Sequence, residues 1–598
     1  MSTPDRTLQA AATLLGQGRA AEAAQLANRV LQAWPRHVDA RRLLAYGLRD
    51  LGDLAGAERE LRAAMAADRR QPLIPVELAE LLIRAGREAD GEKLLRAALA
   101  LDRRCVPAAE MLGRLLIARG RSAEALKVLT PLTAAGDNPV ALSVHGEALR
   151  ALGRYDEAAG LLRRIQSGPH AEPVFAYNLA AVLCDAERFE EAETAVAGAI
   201  ADGMATPEAH RLRGLALQGL GRFDEAEAAF REALRKDPVH PTSHRDLAHL
   251  LWRREEDVGA ATAALDRALA VRPGEGALRV VKAKVLEYAG DLEGAYAALA
   301  PIAGRGSPDP VVELSASQVA VGLDPDRALA HAERALAAAP DEPLVRAVAA
   351  EACLAAGRPE AAAGHAEALL AIAPADQQAL GLLALAWRML DDPRYADLYD
   401  YDAFVKTYRL EPPAGWSSLE AWLADLARAL DGLHGLKAHP IGQSLRQGSQ
   451  TTQSLDHSPD PAVRGFFEAI QDPIARHIAG LGRGRDPLRA RATGRFRLSG
   501  SWSVRLRPGG RHVPHLHPKG WLSSALYVAL PDAVGTGREG WIAFGEAGLP
   551  TRPPLPPERW VRPEPGLLVL FPSYMWHGTV PFGGDQPRLT CAFDVVPA

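Results

Sequence analysis

The sequence predicts two architectures in one chain: an N-terminal α-solenoid, followed by a C-terminal β-sheet domain. A short motif recurs at a nearly constant spacing through the first two thirds of the 598 residues, which indicates stacked helical units. This period stops near residue 390. From about residue 495, apolar and polar residues alternate with a period of two, as they do in half-buried strands. We therefore expect three regions: a repeat array over 1–390, a connecting region over 391–494 and a β domain over 495–598.

Composition excludes several classes of protein. The chain has 69 Lys and Arg against 74 Asp and Glu, a formal net charge of −5, so no overall charge draws it to nucleic acid or to an anionic membrane. The N-terminus does not have the basic start and apolar run of a signal peptide, so we expect none. No uncharged apolar stretch is long enough for a membrane span. We expect a cytoplasmic protein that binds neither nucleic acid nor membranes.

Cysteine usage supports a reducing compartment. The four cysteines lie far apart and form no CxxC pair, which argues against a disulfide framework and against a thiolate zinc site. They are Cys105, Cys184, Cys353 and Cys591.

The repeated motif is a short turn followed by an alanine five positions later, as in GRYDEA and GRFDEA. Successive copies start 33 to 35 residues apart, mostly 34, and about eleven can be counted. Clear copies start at Gly18, Gly52, Gly86, Gly120, Gly153, Glu187, Gly221, Gly290 and Gly357, with degenerate copies near Glu255 and Leu323.

Each unit has the pattern of two amphipathic helices. Leu212, Leu215 and Leu220 illustrate the apolar spacing of a first helix. We expect the glycine of the motif to end that helix in a left-handed cap. Alanine then falls where the two helices approach closely. One pair cannot bury its apolar faces alone, so neighbouring pairs must stack. A coiled coil would show a seven-residue period instead.

Residues 1–390 resemble tetratricopeptide-repeat proteins, whose period is 34 residues. The resemblance implies a groove that binds peptides or partner helices, so we expect a protein or peptide bound in the repeat groove. A spacer or dimerisation arm is the alternative.

The connecting region combines aromatic residues with a Pro412-Pro413 boundary. Two stretches, 417–434 and 461–481, have helical apolar spacing. A polar segment, 439–458, separates them. We interpret 391–494 as a linker with supporting helices.

The β domain is predicted from four short runs that glycine and proline punctuate. The runs are 502–506, 522–530, 566–571 and 588–596. Several short strands separated by such turns are typical of a sandwich or barrel.

Three histidines in this domain are candidate metal ligands and catalytic residues. Side chains two residues apart on a strand share a face, so His515 and His517 can converge on one ion. Flanking prolines favour an extended backbone there. His577 is predicted at the end of another strand. Three imidazoles from two strands leave coordination positions open, and imidazole suits iron, zinc, manganese or nickel.

Arg588 lies eleven residues beyond His577, which allows one turn and a return along the next strand. Thr590, two residues on, shares its face. A guanidinium binds a carboxylate through two parallel hydrogen bonds, and a neighbouring hydroxyl can add another. Tyr527, on a strand beside the site, is a further candidate contact, with a core position as the alternative. His512 is an odd number of positions from His515 and should face away.

Residues 435–598 resemble the 2-oxoglutarate/Fe(II)-dependent dioxygenases, and in particular bacterial oxygenases that join such a domain to tetratricopeptide repeats. The matching stretches are SLRQGSQTTQSL at 444–455, PHLHPKGWLSSALYVALP at 514–531, GWIAFGE at 540–546, PGLLVLFPSYMWHGTVPF at 565–582 and PRLTCAFDVV at 587–596.

The resemblance implies a double-stranded β-helix of the jelly-roll or cupin-like kind, with Fe(II) bound by His515 and His577. It implies that Arg588 and Thr590 hold the far carboxylate of the co-substrate 2-oxoglutarate. Arg446 and Gln450 fall in a matching polar loop and are candidate pocket residues. The expected activity is that of a dioxygenase, an oxidoreductase acting as a hydroxylase, on a protein or peptide recruited by the repeats.

The sequence departs from the family at His517, where the usual pattern has Asp or Glu. Three neutral imidazoles leave the full charge on a divalent ion, so two alternatives remain open. One is a cupin-like three-histidine dioxygenase that does not use 2-oxoglutarate. The other is a non-catalytic repeat scaffold with a degenerate metal-binding domain. Arg588 pointing into a pocket beside the histidines would favour the 2-oxoglutarate-dependent dioxygenase over both alternatives.

Overall fold

The computed structural model describes residues 3–136, 138–168, 171–306, 308–535 and 537–598. Two compact units divide the chain, at residues 1–205 and 206–598. The predicted fold class is confirmed: antiparallel helices in tandem pairs precede a domain built from two antiparallel sheets.

Helices α1 to α23 form the repeats. Their bounds are α1 Thr3–Gly16, α2 Ala20–Ala33, α3 Val38–Asp50, α4 Leu54–Ala67, α5 Leu73–Arg84, α6 Glu88–Leu101, α7 Val106–Ala118, α8 Ser122–Ala135, α9 Pro139–Ala151, α10 Tyr155–Gln166, α11 Pro173–Asp185, α12 Phe189–Ala201, α13 Pro207–Gly219, α14 Phe223–Lys236, α15 Pro241–Glu255, α16 Val258–Val271, α17 Gly276–Tyr288, α18 Leu292–Leu299, α19 Pro310–Ala320, α20 Pro325–Ala338, α21 Pro343–Ala355, α22 Pro359–Ile372 and α23 Gln377–Met389.

Left-handed turns link the helices of a pair, as predicted. Gly221, between α13 and α14, has a φ of 72°, a conformation that glycine adopts without the steric penalty of a Cβ. Where the motif lacks glycine, Glu187 takes the same conformation with a φ of 54°. The backbone geometry of the turn is therefore kept when its preferred residue is lost.

Close helix approach explains the small residues of the motif. Phe230 of α14 is fully buried against Gly214 of α13, where an added Cβ would lie 2.5 Å from the phenyl ring. Ala226, Ala229 and Ala233 line the same buried face of α14. Each pair thus buries a narrow apolar face against its neighbours, as stacked repeats require.

The connecting region contributes both helices and strands. Its elements are α24 Tyr395–Leu398, α25 Tyr401–Phe404, β1 Lys406–Arg409, α26 Leu419–Asp431, β2 Leu445–Gln450, α27 Pro461–Ala469 and α28 Gln471–Leu481. The helices expected at 417–434 and 461–481 are present, the second as two helices. The segment expected to be only polar contains β2. The boundaries at 390 and 494 stay predictions.

The remaining strands complete two sheets. They are β3 Phe496–His512, β4 Leu522–Ala529, β5 Ile542–Phe544, β6 Arg559–Val561, β7 Leu567–Pro572, β8 His577–Thr579 and β9 Arg588–Pro597. The larger sheet has the order β1-β7-β4-β9-β3-β2, and the smaller has the order β6-β5-β8. Short 3₁₀ turns cover Leu455–His457, Arg489–Arg491 and Asp532–Gly535.

Large aromatic side chains fill the domain core. Trp521, Phe544, Phe571, Tyr574 and Phe593 are almost fully buried in one cluster. Phe544 belongs to the smaller sheet and lies edge-on to Phe571 of the larger, with ring centroids 5.1 Å apart. The four cysteines are free thiols, and Cys591 is buried.

Within residues 206–598, repeat helices contact the connecting region and the β domain directly. Trp252 of α15 donates from Nε1 to the carbonyl of His439 at 3.0 Å. The carbonyl of Arg253 accepts from the backbone N–H groups of Lys437 and Ala438, both at 2.9 Å. The indole of Trp576 donates to the carbonyl of Gly381 in α23 at 3.1 Å. These contacts hold α15 against the connecting region and α23 against the β domain.

No helix in the described part of the chain combines the length and apolar character needed to cross a membrane.

Candidate metal centre

The His-x-His segment is extended but is not a regular strand. His515 and His577 form an isolated antiparallel bridge, in which each backbone N–H donates to the other's carbonyl at 2.9 Å. Pro514 and Pro518 carry no N–H, so a longer ladder cannot form around them. The expected strand is thus reduced to one bridge. His577 begins β8 instead of ending a strand.

The structure brings the three histidines together. Nε2 of His515 and Nε2 of His517 lie 3.2 Å apart. One ring nitrogen from each of His515, His517 and His577 falls within 4.8 Å of the others. In the described part of the chain, they form the one group of three or more His, Cys, Asp or Glu side chains that meets this geometry.

The other nitrogen of each ring is already occupied. Nδ1 of His515 donates to the carbonyl of Val513 at 3.0 Å, and Nδ1 of His577 to that of Met575 at 2.9 Å. A carbonyl accepts only, so both rings carry their proton on Nδ1 and leave the Nε2 lone pair free. Burial holds the pKa of His577 well below its usual value and lowers that of His515 to about 3. The donor set therefore fits a divalent transition metal.

The third ring is held by a carboxylate. Nδ1 of His517 lies 2.7 Å from Oδ1 of Asp594. Ser523 donates its hydroxyl hydrogen to the same oxygen at 2.7 Å. Sequence reasoning missed Asp594, which is 77 positions from His517. The available signal was its spacing from Arg588 and Thr590: residues 588, 590 and 594 of β9 share one face of the strand.

The histidines open into a cavity of about 660 Å³. Arg588 and Thr590 line it as well, so the predicted metal ligands and the predicted carboxylate-binding pair share one space. Its apolar walls include Trp502, Val504, Ile542 and Phe571.

Arg588 is the buried cation of this cavity. Its side chain is 2% exposed, and Nη1 donates to the carbonyl of Gly540 at 2.9 Å. Its Nε has no hydrogen-bond partner among the described residues. A buried guanidinium with an unmet donor fits a carboxylate ligand, because an unsatisfied buried donor is otherwise destabilising. Burial also lowers the pKa of Arg588.

Tyr527 lies behind Arg588 and is not among the residues that line the cavity. Its ring centroid is 5.1 Å from Cζ of the guanidinium. The hydroxyl is buried without a partner in the described ranges, and burial raises its pKa.

His512 does line the cavity, contrary to the orientation expected from strand alternation. Its ring stacks on that of His515 with centroids 5.7 Å apart, and its Nδ1 lies 2.9 Å from the hydroxyl of Ser444. The strand β3 ends at His512, so the period of two does not extend across Val513 and Pro514. Arg446 and Gln450 also line the cavity.

Comparison with known families agrees with both parts of this structure. A model described as "Putative 2OG-Fe(II) oxygenase" matches residues 500–594. Two tetratricopeptide-repeat models match the helical region. One covers 14–74, and the other covers 76–139, 110–172, 177–241, 211–277 and 322–390. No curated protein matches the sequence.

Solved structures are similar to parts of the chain. A tetratricopeptide repeat protein from Parabacteroides merdae matches with 14% identity and a TM-score of 0.34, over 41% of this chain and 97% of that one. The MamA 41-end structure from Desulfovibrio magneticus matches with 22% identity and a TM-score of 0.26, over 29% and 97%. The repeat models together span more than half of the sequence. The chain therefore belongs to the tetratricopeptide-repeat proteins and carries a domain of the 2OG-Fe(II) oxygenase family at residues 500–594.

Proposed function

We propose that the protein is a 2-oxoglutarate- and Fe(II)-dependent dioxygenase that hydroxylates a protein or peptide. One observation carries the proposal. Three imidazole nitrogens converge in a cavity that also contains a buried arginine with an unmet donor. The match to the oxygenase family supports the same general class of oxidoreductase.

His515, His517 and His577 would hold the iron. Each Nδ1 atom contacts an oxygen acceptor, which fixes the orientation of the ring before the metal binds. Rings held in place in this way favour metal binding. Asp594 adds a negative charge behind His517. When bound, iron and 2-oxoglutarate together supply the oxidising power to insert one oxygen atom of O₂ into a C–H bond, with release of succinate and CO₂.

Arg588 and Thr590 are the proposed co-substrate contacts, and Tyr527 is proposed to support them. The uncommitted Nε of Arg588 offers a donor to a carboxylate, and the Thr590 hydroxyl makes only a long contact of 3.4 Å with the Val504 carbonyl. It is therefore available to a better acceptor. Tyr527 would act through Arg588, by limiting the positions that the guanidinium can take.

Apolar walls would keep water from the reacting atoms. Phe571 packs directly on the His577 ring, with centroids 4.5 Å apart. Val504 and Ile542 are also buried where they line the cavity. Excluding water strengthens the electrostatic contacts made by Arg588.

Tetratricopeptide repeats generally mediate protein–protein interactions, so we propose that the repeats recruit the substrate in their groove. In residues 206–389, helices α15 and α17 contact the protein's own connecting region, and α23 contacts its β domain. We therefore place the recruiting groove among helices α1 to α12.

A cupin-like dioxygenase that does not use 2-oxoglutarate is the second candidate, because three histidines replace the usual ligand set. The two candidates differ in what Arg588 binds. Anaerobic titration of the metal-free protein with Fe(II) and then 2-oxoglutarate separates them, since the chelate gives a weak visible absorption band.

We expect that band in the wild type and its loss or weakening in His577→Ala and Arg588→Ala. The exposed His457 and Arg497 supply matched controls, as His457→Ala and Arg497→Ala. Iron binding without the band would support the cupin-like candidate, and no iron binding would support a non-catalytic scaffold.

A further inference from the structure

A second arginine shares the cavity with the histidines. Arg446 of β2 lines it, and Nη1 donates to the carbonyls of Gln443 at 2.8 Å and Leu445 at 2.9 Å. None of its other nitrogens donates to a described residue, and no described carboxylate forms an ion pair with it. The edge of the guanidinium that carries Nε and Nη2 is therefore open to a ligand.

The position of Arg446 is fixed by a repeat helix. Its Cζ lies 5.0 Å from the ring centroid of Tyr288, the last residue of α17. The carbonyl of Tyr288 accepts from Nε2 of His439 at 3.2 Å. The carbonyl of His439 in turn accepts from Trp252 of α15. The arginine therefore rests on a ring that two repeat helices hold in place, and little conformational freedom remains to be lost on binding.

The acidic side chains of the cavity are already engaged. Glu287 accepts from Nζ of Lys284 at 3.0 Å, and Asp594 accepts from His517 and Ser523. Lys519 also lines the cavity. The charged groups of the cavity without an ion pair among the described residues are therefore all positive: Lys519 and two separate guanidinium groups, those of Arg588 and Arg446.

We propose that Arg446 binds a carboxylate of the molecule that is oxidised, and that α17 of the repeats forms one wall of this substrate site. The inference rests on the proposed function, which assigns Arg588 to 2-oxoglutarate. The molecule that is oxidised is then a peptide or protein segment with an Asp or Glu side chain. The repeats help select it, because α17 forms part of its site. A charge-assisted, two-point contact supplies the selectivity.

The test uses the full chain loaded with Co(II), which imidazole ligands also bind, and saturated with 2-oxoglutarate so that Arg588 is occupied. Two probes are titrated: N-acetyl-aspartate methylamide and its neutral isostere N-acetyl-asparagine methylamide. Binding is followed by the change in the visible Co(II) spectrum. In the wild type we expect the acidic probe to bind about tenfold more tightly, as one charge-assisted contact allows.

Arg446→Ala should abolish the preference, and Arg446→Lys should keep part of it. Arg511 pairs with Arg446 across the β2–β3 ladder but is exposed, so Arg511→Ala is the matched control for a loss of positive charge. Metal and 2-oxoglutarate binding should be unchanged in all three variants.

Equal binding of the two probes to the wild type, or a preference that survives in Arg446→Ala, overturns the assignment while the proposed function stands. If the wild type forms no Co(II)–2-oxoglutarate complex, the proposed function fails and the inference fails with it.

Discussion

Oδ1 of Asp594 lies 2.7 Å from Nδ1 of His517, on the side of the ring away from the other two histidines' ring nitrogens. A carboxylate is therefore present at this centre although none is among its candidate ligands. It stands behind the third imidazole, held by Ser523. The family pattern has Asp or Glu at the position of His517. Here the carboxylate of Asp594 contacts that histidine and is not itself a candidate ligand.

Removing that charge should weaken metal binding. In Asp594→Asn an amide oxygen can still accept from His517, so the change removes mainly the charge. Loss of such a partner typically reduces metal affinity by about 10–100-fold. Competition with a chelator of known affinity measures the effect for Co(II). The exposed Asp585 supplies the control, Asp585→Asn, and equal affinities in all three proteins would show that Asp594 does not assist the metal.

Arg588→Lys should separate charge from shape. Lysine keeps the positive charge but cannot form two parallel hydrogen bonds with a carboxylate. We expect 2-oxoglutarate to bind about tenfold more weakly, the loss of one charge-assisted hydrogen bond, with Co(II) affinity unchanged. Isothermal titration of the metal-loaded protein tests this. A lysine variant that binds 2-oxoglutarate as the wild type does would argue against the assigned contact.

Gly381 should be sensitive to the smallest enlargement. A Cβ at this position in α23 would lie 2.5 Å from Cδ2 of Leu516 and 3.0 Å from the Tyr574 carbonyl. We expect Gly381→Ala to lower the free energy of unfolding by about 1–3 kcal/mol, the usual effect of overpacking.

Gly364 of α22 is the matched control, because nothing lies within 4 Å of its added Cβ. Gly364→Ala should be neutral or stabilising by up to about 1 kcal/mol. Chemical denaturation measures both variants. Similar effects from the two would contradict a tight contact between α23 and Leu516.

Acid should destabilise the fold partly through His477 of α28. Its side chain is 2% exposed, and burial lowers its pKa to about 4. Between that value and the unfolded pKa of about 6.5, the unfolded chain binds a proton that the folded chain does not. Stability is therefore lost as pH falls through this range, at up to about 1.4 kcal/mol per pH unit for one group.

His477→Gln should flatten this dependence by roughly that slope, relative to the wild type, in urea unfolding measured at several pH values between about 4.5 and 7. The exposed His457 is the control, as His457→Gln. An unchanged slope in the His477 variant would show that this histidine does not titrate on unfolding.

The repeats were predictable because each unit makes the same helix–helix contact, so the same sequence motif recurs every 34 residues or so. Strands β3, β4, β7 and β9 were predictable because each contains an alternating or a continuous apolar run bounded by turn residues. β1 and β2 were not. They are the two edge strands of the larger sheet, and neither KTYR in β1 nor LRQGSQ in β2 contains a run of apolar residues.

At the site, the sequence indicated His515 with His517, and Arg588 with Thr590, because the members of each pair lie two residues apart. It indicated His577 through the stretch that resembles the oxygenase family. Their roles stay predictions. Asp594 shares a strand face with Arg588 and Thr590, but its contact with His517 depends on the packing of distant segments. The same is true of the contact between Tyr288 and Arg446. His512 was assigned the wrong direction because a strand was assumed to continue where it ends.

The contacts of α15, α17 and α23 with the C-terminal part of the chain limit how many repeat units can lie between these helices. Gain or loss of a 34-residue unit between α15 and α23 would move Tyr288 away from Arg446, or Gly381 away from Leu516, because both pairs cannot be kept at a new spacing. Unequal recombination, which readily alters repeat number, should therefore be tolerated poorly in this stretch. The number of repeat units between α15 and α23 is therefore fixed by their contacts with the C-terminal part of the chain.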